Sequence, residues 1–153
     1  MNTFLLTWNP SNWSWETLEK DIKQLEKLGV YRDSWSCGNR KHTIKSGDRV
    51  FLMRLGVEPK GIMASGYTTS NIYQDDHWDE SKPIGTKTNY VNIDFDVILN
   101  PNEQEILKAD YLLTNQPFSE FPDWFPQSSG NTIGKEIANE LEVVWFQHIK
   151  EHL

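Results

Sequence analysis

The sequence predicts a mixed α+β domain in which a curled sheet is flanked by helices. Three observations carry this. Short strand-like runs are separated by turn chemistry, two segments space their apolar residues as helices do, and a strand and helix precede a hairpin, a further strand and a terminal helix. The 153 residues have the length of one domain, 1–153, and 37% hydrophobic residues are enough to close a core.

Phe4, Leu5 and Leu6 form a short apolar run that Asn9-Pro10 ends, as a buried strand followed by a turn. Ser14 then stands where a helix N-cap would. Trp15, Leu18, Ile22, Leu25 and Leu28 recur at helical spacing, with Glu16 and Glu19 near the positive end and Gly29 as the stop. Residues 30–47 have no period and read as a long loop interrupted at most by a short strand. Turn residues Lys45-Ser46-Gly47-Asp48 introduce a strand over 49–54, and a turn containing Pro59 returns the chain along 62–69 as a hairpin.

A polar, acidic loop, Gln74 to Glu80, precedes the clearest alternation in the chain. There Val91, Ile93, Phe95, Val97 and Leu99 share one buried face, and Pro101 ends the strand. The stretch 117–130 holds three prolines and reads as loop. The last 20 residues place Ile137, Leu141, Val144, Trp145 and Ile149 on one helical face.

Charge is uneven. The net value is -7, yet between Arg32 and Lys60 seven basic residues face three acids, and the excess of acid lies after residue 70. A polyanion partner is compatible with this pattern, because a local basic face attracts phosphate whatever the total. No apolar run approaches the roughly 18 residues of a membrane span. The N-terminus has no basic segment or small-residue cleavage site, and a single cysteine, Cys37, fits a reducing compartment. A cytoplasmic protein without membrane contact is therefore expected.

The usual enzyme constellations fail. There is no G-x-S-x-G elbow, no phosphate-binding or dinucleotide glycine loop, and no H-E-x-x-H helix. Cys37 with His42 lacks a third group to orient the histidine, His148 and His152 stand near a solvent-facing chain end, and the acids around Trp78 lack the order of a calcium loop. No catalytic residue, metal or cofactor is assigned, and a non-enzyme is expected.

The seven tryptophans sort better. Trp13 and Trp15 flank the expected helix start and Trp145 lies on the apolar stripe of the last helix, so these read as core. Trp35 sits among small polar residues followed by cations. Trp78 stands among charged neighbours, where burying its indole would drag carboxylates with it.

Four segments in order carry a resemblance: Phe4-Leu5-Leu6-Thr7-Trp8-Asn9-Pro10, Trp35-Ser36-Cys37-Gly38-Asn39-Arg40-Lys41, residues 47–54, and residues 59–66. Together they resemble the EVE domains of the PUA-like superfamily and the related YTH domains. The resemblance implies a PUA-like curled β-barrel flanked by helices that binds a modified base in an aromatic cage. Several such domains sit at the front of modification-dependent restriction endonucleases.

Carried onto this chain, it implies Trp35 as the first cage wall, Ser36 as a polar contact and Trp78 as the second wall. Asn9 would read the hydrogen-bonding edge of the base, and Ser129 and Asn131 would add contacts. Arg40, Lys41, Lys45 and Arg49, in or just beyond the Trp35 loop, are expected to meet phosphates. The function expected is recognition of a flipped methylated or hydroxymethylated cytosine in double-stranded DNA, with any nuclease in a separate domain or partner. The alternatives are a reader of methylated adenine or of modified RNA on the same fold, and a protein-interaction module built on Trp78 and its acids.

Overall fold

The structure, a computed structural model, describes residues 1–38 and 43–152. In chain order the elements are β1 (Thr3–Trp8), α1 (Leu18–Leu28), β2 (Tyr31–Ser36), β3 (Arg49–Arg54), β4 (Gly61–Thr68), β5 (Tyr73–Asp76), β6 (Lys87–Ile98), β7 (Leu107–Lys108), α2 (Ala109–Thr114), β8 (Asn131–Ile133) and α3 (Lys135–His152). The fold class is α+β, as expected. The sheet runs β2-β6-β4-β3-β1-β8, with β5 added to β6 and β7 to β4. The β1–β3 pair is parallel and the other pairings are antiparallel.

Curling follows from one contact between strands that the sheet order separates. The Trp35 indole N–H on β2 donates to the Thr7 carbonyl on β1 at 2.9 Å, although β6, β4 and β3 stand between these strands. The β2 edge of the sheet therefore meets β1, next to the opposite edge, through an indole on a backbone carbonyl, without a strand-to-strand ladder to close a barrel among the described residues.

β3 and β4 lie at the centre and are buried at nearly every position, which is why both read as continuous apolar runs. The inside of the curl is filled by Phe4, Leu6, Val50, Leu52, Val91, Ile93 and Phe95, among other buried residues. α3 is fastened to the sheet by a polar network. Trp145 Nε1 donates to Ser65 Oγ at 2.9 Å, and Ser65 donates to Asp96 at 2.6 Å. Arg49 reaches Asp96 at 3.0 Å and Glu142 on α3 at 2.9 Å.

Several elements depart from the sequence reading. Ser14 does not cap a helix: α1 begins at Leu18, and Thr17 Oγ1 donates to Asp21 at 2.8 Å. Trp15 precedes the helix, buried, with its indole N–H on the same Asp21 carboxylate at 2.8 Å. Gly29 ends α1 as predicted, at φ 77°.

The alternation of β6 holds to Phe95 and then breaks. Phe95 pairs with Gly66 and Val97 with Ser65, so Asp96 is an extra residue and burial passes from Val97 to Ile98. Gly66 permits this, since a Cβ there would lie 2.6 Å from the Asp94 carbonyl oxygen. β5, β8 and α2 fall in stretches that carried no readable period.

Arg49 is corrected here from a phosphate contact to a structural residue. Its side chain is 6% exposed, its charge faces two carboxylates, and its guanidinium lies over the Tyr67 ring at 4.5 Å. Because Asp96 and Glu142 remain 42% and 39% exposed, the loss on truncation should fall below that of a fully buried pair. Arg49→Met is expected to lower the unfolding free energy by roughly 2 kcal/mol. The measurement is the midpoint of urea unfolding at unchanged m-value; an unchanged midpoint would refute the assignment.

Candidate nucleic-acid interface

The C-terminal ends of β1 and β3, the end of β2, the β5–β6 hairpin and the loop before β8 surround one open cleft of about 1120 Å³. Asn9, Trp35, Ser36, Trp78 and Ser129, five of the ten residues singled out from sequence, line it.

Trp35 is 7% exposed. β2 alternates Tyr31, Asp33 and Trp35 toward the inside, and the indole packs edge-on to Trp13 at 5.6 Å and tilted against Trp15 at 5.3 Å. With its N–H on Thr7, it forms the floor of the cleft and not a free wall. This corrects the sandwich geometry expected from sequence.

Trp78 is 40% exposed and leans over His77 at 5.3 Å. Its loop is held by the Asp79 N–H on His77 Nδ1 at 3.0 Å and by the Tyr90 hydroxyl on the Asp76 carbonyl at 2.7 Å. Trp13, expected in the core, is instead 39% exposed and lines the cleft beside Trp35. Its place beside the expected helix start suggested core, but the helix begins later, at Leu18.

Asn9 builds the turn that carries Trp13. Its Oδ1 accepts the Ser11 N–H at 2.9 Å, and its carbonyl accepts those of Asn12 and Trp13 at 3.0 and 3.2 Å. The carboxamide lies against Gly56, where φ is +76° and a Cβ would come 2.4 Å from Asn9 Oδ1.

Ser129 Oγ accepts the Thr7 N–H at 3.1 Å, tying the loop before β8 to β1. Asn131 sits opposite Leu5 in the β1–β8 ladder and does not line the cleft.

The phosphate-contact expectations fare worse. Lys45 and Arg49 lie at the start of β3, and a rise of about 3.3 Å per residue puts the two ends of that strand roughly 16 Å apart. The cleft is at the other end, where Leu55 lines it. Lys45, four residues before β3, is exposed and does not line the cleft. Arg40 and Lys41 lie outside the described residues.

Among the described lining residues there are three carboxylates, Asp33, Asp75 and Asp76, and no lysine or arginine. Asp76 is paired with Lys87. Burial raises the Asp33 carboxyl above its usual range, while the Ser34 N–H and the Tyr31 hydroxyl pull it back. Cys37 is fully buried and its thiol is pushed up to about 11 by burial, so it is no nucleophile at neutral pH. Its imagined partner, His42, lies outside the described residues. His148 and His152 stack at 4.3 Å, with a ring nitrogen of each on a backbone carbonyl.

Sequence reasoning also missed Tyr73 and Tyr90, stacked at 6.1 Å, and Phe125. Tyr73 and Phe125 come from segments without readable period; Tyr90 stands just before Val91 in β6, where extending the alternation by one residue would have put it on the face opposite the core.

No protein-family model matches the sequence, and no curated protein matches it. Solved structures do. A protein from Pseudomonas syringae is 19% identical, with 93% of this chain and 98% of that one covered at a TM-score of 0.64. A hypothetical protein from Leishmania major is 15% identical, with 96% of each chain covered and a TM-score of 0.66. Human THYN1, crystallised in complex with DNA containing 5-methylcytosine, is 14% identical, with 94% and 97% covered and a TM-score of 0.61. At these identities the likeness is one of fold alone.

Proposed function

We propose that the cleft receives a methylated or hydroxymethylated cytosine flipped out of double-stranded DNA. The chain is then a non-catalytic recognition module, and in a modification-dependent restriction system the cutting is done by a separate nuclease domain or partner. The observation that carries the reading is the presence of two partly exposed indoles, Trp13 and Trp78, in one cleft whose floor is made by Trp35. Large exposed aromatics gathered in one concave site with a few amides and hydroxyls are the usual composition of a site for a flat ligand. The structural likeness to human THYN1, solved with 5-methylcytosine DNA, supports the same reading.

Flipping costs a few kcal/mol, and each stacking contact returns about 1–3 kcal/mol. Two rings therefore roughly offset extrusion, and net affinity must come from the backbone. With Arg49 taken up by Asp96 and Glu142, cations nearer the cleft take that part. Lys60 Nζ lies 5.9 Å from the ring of Phe125, and Lys82 follows Trp78 in the hairpin turn.

Trp78→Ala is expected to weaken binding to a 5-methylcytosine duplex by about tenfold or more, while shifting the melting temperature little. Trp35→Ala should instead destabilise the fold by about 3–5 kcal/mol, as for a large aromatic removed from a core. Fluorescence anisotropy on modified and unmodified duplexes, with a thermal melt of each variant, separates the two. Unchanged selectivity in Trp78→Ala overturns the reading.

A Lys60→Ala/Lys82→Ala double variant should weaken binding to both duplexes alike. The slope of log K against log[salt] should flatten by roughly 1–2. A titration across salt concentrations checks this, and an unaltered slope would place the phosphate contacts elsewhere.

A further inference from the structure

We propose that Ile84, at the tip of the β5–β6 hairpin, is an apolar wedge that enters the DNA stack where the base has been withdrawn. The inference rests on the reading of the cleft given above and adds what holds the duplex open while the cleft is filled.

Ile84 is the most exposed large apolar side chain among the described residues, at 106% of its reference surface. A single exposed aliphatic residue is ordinary on a protein surface. This one differs in how firmly it is held. Pro83, Ile84, Gly85 and Thr86 form a tight turn, in which the Pro83 carbonyl accepts the Thr86 N–H at 3.1 Å and the Thr86 hydroxyl at 2.7 Å. Gly85 supplies the positive φ, +91°, that turns of this kind place at their third residue. Beneath the turn the His77 N–H donates to the Thr86 carbonyl at 2.9 Å, and Ser81 donates its N–H and hydroxyl to Asp79 at 3.0 and 2.6 Å. Ile84 thus stands at the corner of a braced turn with its side chain left in solvent.

The hairpin also relates it to the cleft. Trp78 on one arm and Thr88 and Tyr90 on the other line the cleft, whereas Ile84 does not. Thr88 follows Ile84 by four residues, a span of at most about 14 Å, against a major groove about 12 Å wide. The tip therefore lies outside the pocket for the withdrawn base but within reach of the stack that the base has left.

The chemistry of the tip selects base faces as its partner. Lys82, two residues before Ile84, suits a flanking phosphate. Asp79 and Glu80 disfavour a backbone lying along the loop, which leaves end-on entry of the tip. The Ile84 side chain has no charge and no hydrogen-bonding atom, so it gains only by exchanging water for apolar surface. In a duplex that surface is the faces of the stacked bases. Apolar side chains inserted between base steps hold a duplex deformed, and the gap beside a flipped base is a step already opened.

The test uses the full chain with a duplex carrying one 5-methylcytosine, the unmodified duplex, and the modified strand alone. Ile84→Ala should bind both duplexes about tenfold more weakly, since it removes much of the apolar contact. The preference for the modified duplex should persist, because the wedge acts on the gap and not on the base in the cleft. Affinity for the single strand, which has no stack to fill, should match the parent. The slope of log K against log[salt] should also be unaltered, as no ionic contact is lost. Ile84→Leu should restore duplex binding, and both variants should melt with the parent, because the side chain supports nothing in the fold.

Full duplex affinity in Ile84→Ala overturns the wedge, and is the result expected of a tip that serves a protein partner. An equal loss on the single strand also overturns it, because the side chain would then be touching the strand and not the stack. If Trp78→Ala stays selective, it is the cleft reading that fails, and the wedge with it. If Trp78→Ala loses selectivity and Ile84→Ala binds duplex like the parent, only the wedge fails.

Discussion

The indole N–H of Trp35 on the carbonyl of Thr7 joins two strands with three others between them, and the curl of the sheet depends on that seam. Around it Trp8, Trp13, Trp15 and Phe95 pack with Trp35 at centroid separations of 5.3 to 6.5 Å, mostly edge-to-face or tilted. Edge-to-face packing adds about 0.5–1.5 kcal/mol per pair beyond the area buried. The same cluster therefore does two things: it draws the ends of the sheet together without a backbone ladder, and its upper surface is the floor of the cleft. The site exists only once the sheet has curled, so its floor has the rigidity of the core.

Much of the positive charge between Arg32 and Lys60 is consumed by the fold. The basic excess between Arg32 and Lys60 looks from sequence like a phosphate-binding face. In the structure Arg32 pairs with Asp94, Arg49 with Asp96 and Glu142, and Arg54 donates to the carbonyls of Val57 and Pro59 while lying over the Trp8 ring. A guanidinium suits such work because it stays charged and forks onto two acceptors. Segment charge counts cannot separate cations that hold a helix to a sheet from cations that face solvent, since the partners of Arg49 lie 47 and 93 residues away.

What was legible in the sequence follows the same logic. β6 and α3 announce themselves because their burial has a period, β1, β3 and β4 because they carry unbroken apolar runs, and Gly29 ends α1 because its backbone conformation needs a glycine. β2, β5 and β8 are polar edge or add-on strands whose pairing is decided by a distant partner and not by their own side chains. The inverted assignments of Trp13 and Trp35 have one cause. Small polar neighbours of Trp35 suggested exposure, but they mark the outward face of β2, whose inward face carries the ring; the place of Trp13 beside the expected helix start suggested core, but the Asn9 turn carries it to the cleft.

Exposed indoles are costly to leave in water, and this fold leaves two of them about 40% exposed in the same concavity, with Phe125 nearby at 37%. Neither is loose. Trp13 is set by the Asn9 turn and by Trp8, whose indole N–H donates to the Trp13 carbonyl at 2.9 Å; Trp78 is set by the His77 and Tyr90 hydrogen bonds. Rings already fixed by such contacts lose little freedom when a flat ligand enters, so more of the stacking energy remains as affinity. Both rings line the cleft whose floor Trp35 forms, and the proposed reading of the cleft rests on that arrangement.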